Sequence, residues 1–235
     1  MNTCNISVIL PTYNERGNIV TLVQSIIDHL STITRAFEIL VIDDNSPDKT
    51  AIAVKQAFNK SKQVKVFIRK QRGLATAILF GLTKARGKYV AVMDTDYNHN
   101  PSVLISMYHY IKTYDLVIGS RYVAGGGMEN KVRQLLSLVF NIYIRLLLNH
   151  NIHDNLSGFF MIKKALISRF KPEKIFYGFG DYFIRVIYYA RGNKARIKEI
   201  PVYYRNRTYG ISKSRFLKMF VTYSLTAVQL RFYPK

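Results

Sequence analysis

A chain of 235 residues suits one large domain, or one domain with a tail. Apolar residues make up 49% and charged residues 21%, which excludes a disordered chain, while a single cysteine, Cys4, excludes an internal disulfide and fits a reducing compartment. Lys and Arg outnumber Asp and Glu 35 to 14, a net charge of +21, so the chain is built to meet nucleic acid, anionic lipid or phosphorylated substrates.

The N-terminal half alternates two periodicities. Ile6–Leu10 is apolar and reads as a strand, and Glu15–Leu30 carries Ile19, Leu22, Val23, Ile26, Ile27 and Leu30 at helical spacing. Phe37–Ile42 predicts a second strand and Lys49–Asn59 a second helix, its start marked by Ser46-Pro47-Asp48. Val64–Ile68, Gly73–Ala85 and Lys88–Met93 continue as strand, helix, strand. Pro101–Lys112 is a helix with Pro101 suited to its first turn, and Leu116–Ile118 a short strand. This rhythm predicts an α/β fold: a mostly parallel, Rossmann-like sheet flanked by helices.

The C-terminal part departs from that rhythm. Gly125-Gly126-Gly127 predicts a flexible break, followed by a long amphipathic helix, Val132–Asn149. Its residues Leu135, Leu136, Val139, Tyr143, Leu146 and Leu147 share one side, which either faces the core or lies in a membrane interface. A strand at Phe159–Ile162, a helix at Asp181–Tyr189, a strand at Ala195–Tyr203 and a basic loop, Arg205–Arg215, come next. Phe216–Arg231 predicts a last amphipathic helix, so residues 1–215 read as one domain and 216–235 as a membrane-associated appendage. The first residues lack a basic stretch followed by a long apolar one, so no signal peptide is expected. No run of about 18 apolar residues free of charge offers a spanning helix.

Polar residues gather where strands end. The first strand runs into Pro11-Thr12-Tyr13-Asn14-Glu15, in which Thr12 or Asn14 could cap the next helix. The second ends in Asp43-Asp44-Asn45-Ser46-Pro47-Asp48, which also reads as an Asx turn. The fourth ends in Asp94-Thr95-Asp96, two hard oxygen donors one residue apart, suited to Mg²⁺ or Mn²⁺ against a diphosphate. Parallel neighbours would bring these three ends into one crevice, where open α/β sheets bind their ligands. Of the five histidines, only His99 lies close to the acidic pair.

These stretches, with Gly73-Leu74-Ala75-Thr76-Ala77, resemble the family 2 nucleotide-sugar glycosyltransferases of GT-A fold. Gly119-Ser120-Arg121-Tyr122, Arg133-Gln134-Leu135-Leu136-Ser137, Ser157-Gly158-Phe159 and Arg207-Thr208-Tyr209-Gly210-Ile211-Ser212-Lys213 narrow the likeness to the polyprenyl-phosphate (dolichyl-phosphate) mannosyl- and glucosyltransferases. The resemblance implies a base pocket of Pro11, Tyr13, Glu15, Ile42 and Asp44, with Thr95 at a position where the family has a small residue. It implies Asp94, Asp96 and Asn98 at the metal, and Arg207 and Lys213 on the donor diphosphate. Arg121 and Arg133 would hold the acceptor phosphate. Arg185 stands where relatives carry a Glu, which leaves Asp181, one turn earlier, as the candidate carboxylate on the acceptor side.

The function implied is inverting, metal-dependent transfer of a hexose to a polyprenyl or dolichyl phosphate, from GDP-mannose or alternatively UDP-glucose. The enzyme would sit peripherally on the cytoplasmic face of a membrane, drawn by anionic lipid and aided by a separate anchoring subunit. Two rivals remain. A sugar-hydroxyl acceptor would need a base and would make Asp181 essential. A nucleic-acid-binding protein would use the +21 charge but leaves the clustered aspartates unexplained, so no nucleic-acid partner is expected.

Overall fold

The computed structural model describes residues 4–96, 98–205 and 216–232. Its centre is a seven-stranded sheet in the order β3-β2-β1-β4-β7-β5-β8. The strands are β1 (Ile6–Thr12), β2 (Phe37–Asp43), β3 (Val64–Ile68), β4 (Tyr89–Val92), β5 (Leu116–Ser120), β7 (Phe160–Lys163) and β8 (Ile197–Pro201). All neighbours are parallel except β7, which runs antiparallel to both β4 and β5. Two short strands, β6 (Gly127–Met128) and β9 (Tyr203–Tyr204), pair apart from the main sheet. The mostly parallel α/β architecture expected from the sequence is the one observed.

Every residue of β1, β2, β4 and β5 is buried, because helices cover both faces of a parallel sheet. Alternate strand residues divide between two cores. Ile6, Val8 and Leu10 pack with Ile19, Leu22, Val23 and Ile26 of α1 (Arg16–Ser31) and with Leu104 and Met107 of α4 (Val103–Tyr110). Ile9, Leu40 and Ile42 pack with Ile78 of α3 (Leu74–Lys84) and Phe183, Val186 and Ile187 of α7 (Tyr182–Gly192). Gly81 lets α3 ride directly on β1, since a Cβ there would lie 2.6 Å from Ile9 Cγ2. A third cluster joins α5 (Lys131–Leu148), α7 and α8 (Phe216–Phe232) through Ile144, Leu148, Ile184, Tyr223, Ala227 and Leu230.

Local chemistry shifts several expected boundaries. Neither Thr12 nor Asn14 caps α1. The preceding loop is instead stitched to the start of α2 (Thr50–Ala57): Asp48 Oδ2 accepts from Arg16 N at 3.0 Å, and Thr50 Oγ1 accepts from Glu15 N at 3.0 Å. Lys49 is left-handed at φ 67°, so α2 begins at Thr50. Pro101 lies before α4, whose first residue is Val103. Gly125-Gly126-Gly127 is not a loose break. Gly127 joins β6, and a Cβ on Gly126 would fall 2.6 Å from Ser120 O, so the triplet allows a close backbone crossing. The single strand expected over Ala195–Tyr203 is two: β8 pairs with β5 up to Pro201, Val202 N still donates to Ser120 O at 3.0 Å while its carbonyl accepts from Gly127 N at 3.0 Å, and β9 goes on to pair with β6. Between α6 (Lys164–Ile167) and α7 lies one 3₁₀ turn, Pro172–Lys174.

Candidate active site

The chain leaves β1 toward β2 and β3 on one side and returns to β4 on the other. The carboxyl ends of β1 and β4 therefore flank a crevice at the switch point of the sheet. A cavity of about 810 Å³ opens there. It is lined by Pro11, Tyr13 and Glu15 after β1, and by Asp94, Thr95, Asp96 and Asn98 after β4. Thr95 Oγ1 reaches Pro11 O at 3.5 Å and so ties the two loops together.

The acidic pair divides in character. Asp96 is buried, with Asn98 donating to it through Nδ2 at 2.8 Å and through its backbone N at 3.2 Å. Asn98 thus orients Asp96 in addition to lining the cavity. Asp94 has a side chain 40% exposed. His99 lies behind it, its Nδ1 accepting from Asp94 N at 3.2 Å. Burial lowers the His99 imidazole to about 4, which keeps it neutral near pH 7. Among the described residues no group of three or more His, Cys, Asp or Glu is arranged to hold a metal ion by itself. Two carboxylates on one loop still suit Mg²⁺ or Mn²⁺, which binds through one or two carboxylates and completes its shell with phosphate and water.

The expected base pocket holds only in part. Tyr13 lines the cavity, with the Arg72 guanidinium 3.8 Å from its ring centre. Ile42 does not line it: its side chain points into the core beside Leu40 and Ile78. Asp44 does not line it either. Its carboxylate accepts from Arg69 Nε at 2.8 Å and from Gly73 N at 2.8 Å, which sets the turn leading into α3. Asp43 closes the Asx turn by accepting from Ser46 N at 2.9 Å. Arg207 and Lys213 lie outside the described residues.

The two expected acceptor arginines differ. Arg121, after β5, is buried and gripped by Asp154, which accepts from Nε at 2.8 Å, from Nη2 at 2.7 Å and from the backbone N at 3.0 Å. Burial alone would lower this guanidinium, but the adjoining carboxylate raises it above its ordinary value. Its Nε and Nη2 edge is turned to Asp154, and the guanidinium also lines the cavity. Asp154 is steadied in turn by Glu199 of β8, which accepts from Asp154 N at 2.9 Å. Arg133 is exposed in the first turn of α5 and lines the cavity.

Asp181 is a second correction. It does not face the cleft. It accepts from Arg185 Nη1 at 2.6 Å, Thr226 Oγ1 at 3.1 Å and Phe179 N at 2.9 Å, and is buried. Arg185 also donates to Ile175 O and Tyr177 O. This pair locks α7, α8 and the loop between residues 175 and 181 together. A carboxylate so held is a poor general base.

The same cavity is also lined by Leu136, Phe140 and Tyr143 of α5, Phe179, and Phe220 and Tyr223 of α8, which give it an apolar wall. It opens beside an exposed apolar stripe that includes Val132, Leu135, Val139 and Leu146 of α5 and Phe220, Val221 and Leu225 of α8. The apolar wall was not named from the sequence. Its signal was the one-sided spacing of α5, whose outward direction periodicity does not reveal. No helix among the described residues is long and apolar enough to cross a membrane.

Comparison with known proteins fits this geometry. Residues 7–170 match the model of the family described as Glycosyl transferase family 2. The chain is 35% identical over 214 residues to a dolichol-phosphate mannosyltransferase of Pyrococcus furiosus, covering 88% of this chain and 58% of that protein. It therefore spans less than two thirds of that relative's length. It is 34% identical to a polyprenol monophosphomannose synthase of Mycolicibacterium smegmatis, covering 88% and 79%. Among solved structures it is similar to glucosyl-3-phosphoglycerate synthase of Mycobacterium tuberculosis in complex with Mn²⁺, UDP and phosphoglyceric acid. The TM-score is 0.75 at 18% identity, covering 99% of this chain and 80% of that one, a likeness of GT-A fold.

Proposed function

This chain belongs to glycosyl transferase family 2, and on that premise we propose that it transfers mannose from GDP-mannose to a polyprenyl phosphate. The observation that carries the reading is one cavity lined by the Asp94–Asp96 loop, by Arg133 and by apolar residues of α5 and α8. The curated relatives named as mannosyl synthases acting on dolichol or polyprenol phosphate support the same assignment.

The residues divide the work. Tyr13 and Arg72 offer a face to the donor base, and Pro11 and Glu15 shape its pocket. Asp94 and Asp96 would hold Mg²⁺ or Mn²⁺, whose charge would stabilise the departing nucleoside diphosphate. Arg133 meets the acceptor phosphate, for which a guanidinium fork is well matched. A phosphate monoester already carries a charge of about −1.5 to −2 near neutral pH, so it needs placement and no base. That requirement agrees with a site whose nearby Asp181 is sealed by Arg185. A single in-line displacement inverts the anomeric carbon. The apolar wall meets the first isoprene units, and the exposed stripe of α5 and α8 rests in the headgroup layer on the cytoplasmic face of a membrane.

The test is transfer from radiolabelled GDP-mannose, with UDP-glucose in a parallel arm, to polyprenyl phosphate in the presence of Mn²⁺ or Mg²⁺. The expected result is label in the organic phase, abolished by EDTA. Absence of organic-soluble label from any hexose donor overturns the reading, and label from UDP-glucose alone reassigns the donor.

A further inference from the structure

Resting on the reading of this cavity as the place of a lipid acceptor, we infer that Phe179 is a specificity-determining residue that contacts the isoprenoid chain, and that the Arg185–Asp181 pair positions it. The loop of residues 175–181 gives the cavity one large apolar side chain, Phe179. That ring is 44% exposed, although phenyl rings are mostly turned into a core. The backbone on both sides of it is constrained. Gly178 is left-handed at φ 76°, and a Cβ there would fall 2.8 Å from Asp181 Oδ1. A Cβ on Gly180 would collide with Tyr223 Oη of α8. Phe179 therefore stands between two glycines, each hemmed in by a close neighbour.

A buried ion pair often adds little net stability. This one directs its polar atoms at the loop. Arg185 Nη1 donates to Asp181 Oδ2 at 2.6 Å, Nε donates to Ile175 O at 2.8 Å, and Nη2 donates to Tyr177 O. The guanidinium also lies 3.7 Å from the centre of the Tyr177 ring. The other carboxylate oxygen, Asp181 Oδ1, accepts from Phe179 N at 2.9 Å. One pair thus holds the peptide groups on either side of Gly178. An apolar ring presented on a pinned loop loses little freedom when a ligand meets it, and that saving favours binding. The same cavity is lined by the Asp94–Asp96 loop and Arg133, so a ligand that also touches Phe179 is one with an apolar chain on an anionic head. A prenyl phosphate has that form, whereas a small phosphate ester without a chain gains nothing from Phe179.

The test uses the full chain with Mn²⁺, GDP-mannose or UDP-glucose, and farnesyl phosphate, kept dissolved so that vesicle binding does not enter. Phe179→Ala should raise KM for farnesyl phosphate about tenfold, with kcat and nucleotide affinity unchanged, and Phe179→Leu should recover part of the loss. An unchanged KM, or a loss of kcat or nucleotide affinity in its place, overturns the inference alone. If the wild type transfers hexose to no prenyl phosphate, the acceptor reading fails and the inference with it. The role of the pair is read from double-mutant cycles with Phe179→Ala. Arg185→Lys keeps the charge beside Asp181 but gives up donors to the loop carbonyls. Gly178→Ala strains the same turn without touching the pair, and serves where Arg185→Lys fails to fold. Each should raise KM for farnesyl phosphate on its own and add nothing once residue 179 is Ala. An equal further loss in the Phe179→Ala background refutes the positioning role.

Discussion

Helices α1 and α5 are both amphipathic, and they wear their apolar faces in opposite directions. In α1 the apolar stripe Ile19, Leu22, Val23 and Ile26 is buried against the sheet. In α5 the buried face includes Ser137 and Asn141, while Leu135 and Leu146 stand 61% and 77% exposed. Asn141 is no accident of the inward face: its Oδ1 accepts from Asn155 N at 2.6 Å and its Nδ2 donates to Ser137 O at 2.8 Å. Thus α1 is held by what water expels, and α5 by a few directed hydrogen bonds and the small cluster it shares with α7 and α8. An apolar face left outward on a helix that also lines an apolar cavity wall fits a role at an interface better than a role in the core.

The contrast breaks first at Leu22. Leu22→Ala in α1 should cost about 2–5 kcal/mol of stability, read as a lowered denaturant midpoint. The matched change Leu146→Ala in α5 should stay within about 0.5 kcal/mol. Equal losses would mean that α5 is covered in the folded monomer. A second effect belongs to α5 alone. Leu146→Ser should weaken binding to vesicles containing anionic lipid by about 1.5–3 kcal/mol if the side chain is fully buried there, read by co-sedimentation. Unchanged partitioning would remove Leu146 from the interface. The inward face of α5 is probed by Asn141→Ala, which strands Asn155 N and should cost about 1–3 kcal/mol in urea unfolding. A smaller effect sharpens the link between α5 and chemistry. Arg133→Ala should raise KM for polyprenyl phosphate about tenfold, the worth of one charge-assisted contact, with GDP affinity unchanged in calorimetry. Parallel loss of both affinities would end the division between the donor and acceptor ends.

How far these features could be read from residue order follows from the range of the forces involved. The βα rhythm and the loops carrying Tyr13, Asp94 and Asp96 were legible because periodicity and strand ends are local properties. The partners of Arg121 and Asp181 were not. Arg121 meets Asp154 across 33 positions of sequence, and Asp181 is sealed partly by Thr226 of α8. A charged side chain looks available in a sequence until its partner is placed. Ile42 failed for another reason. It follows Leu40 by two in β2, so strand alternation puts both in the same core, away from the cleft. The direction of α5 was open because a stripe has no sign until its neighbours are known. Gly125-Gly126-Gly127 suggested slack where the backbone in fact needs room for a crossing.

The reversed strand β7 has a consequence of its own. Running against β4 and β5, it enters the sheet from the rim where they end, so Ser157 and Gly158 arrive beside Asp94 and Arg121. One lip of the crevice is therefore cut from forward strands and the other from a segment approaching head-on. Insertions before β7 could lengthen or reshape the second lip without shifting a residue of the first. A scaffold of this kind can change what it receives while leaving untouched the half that delivers.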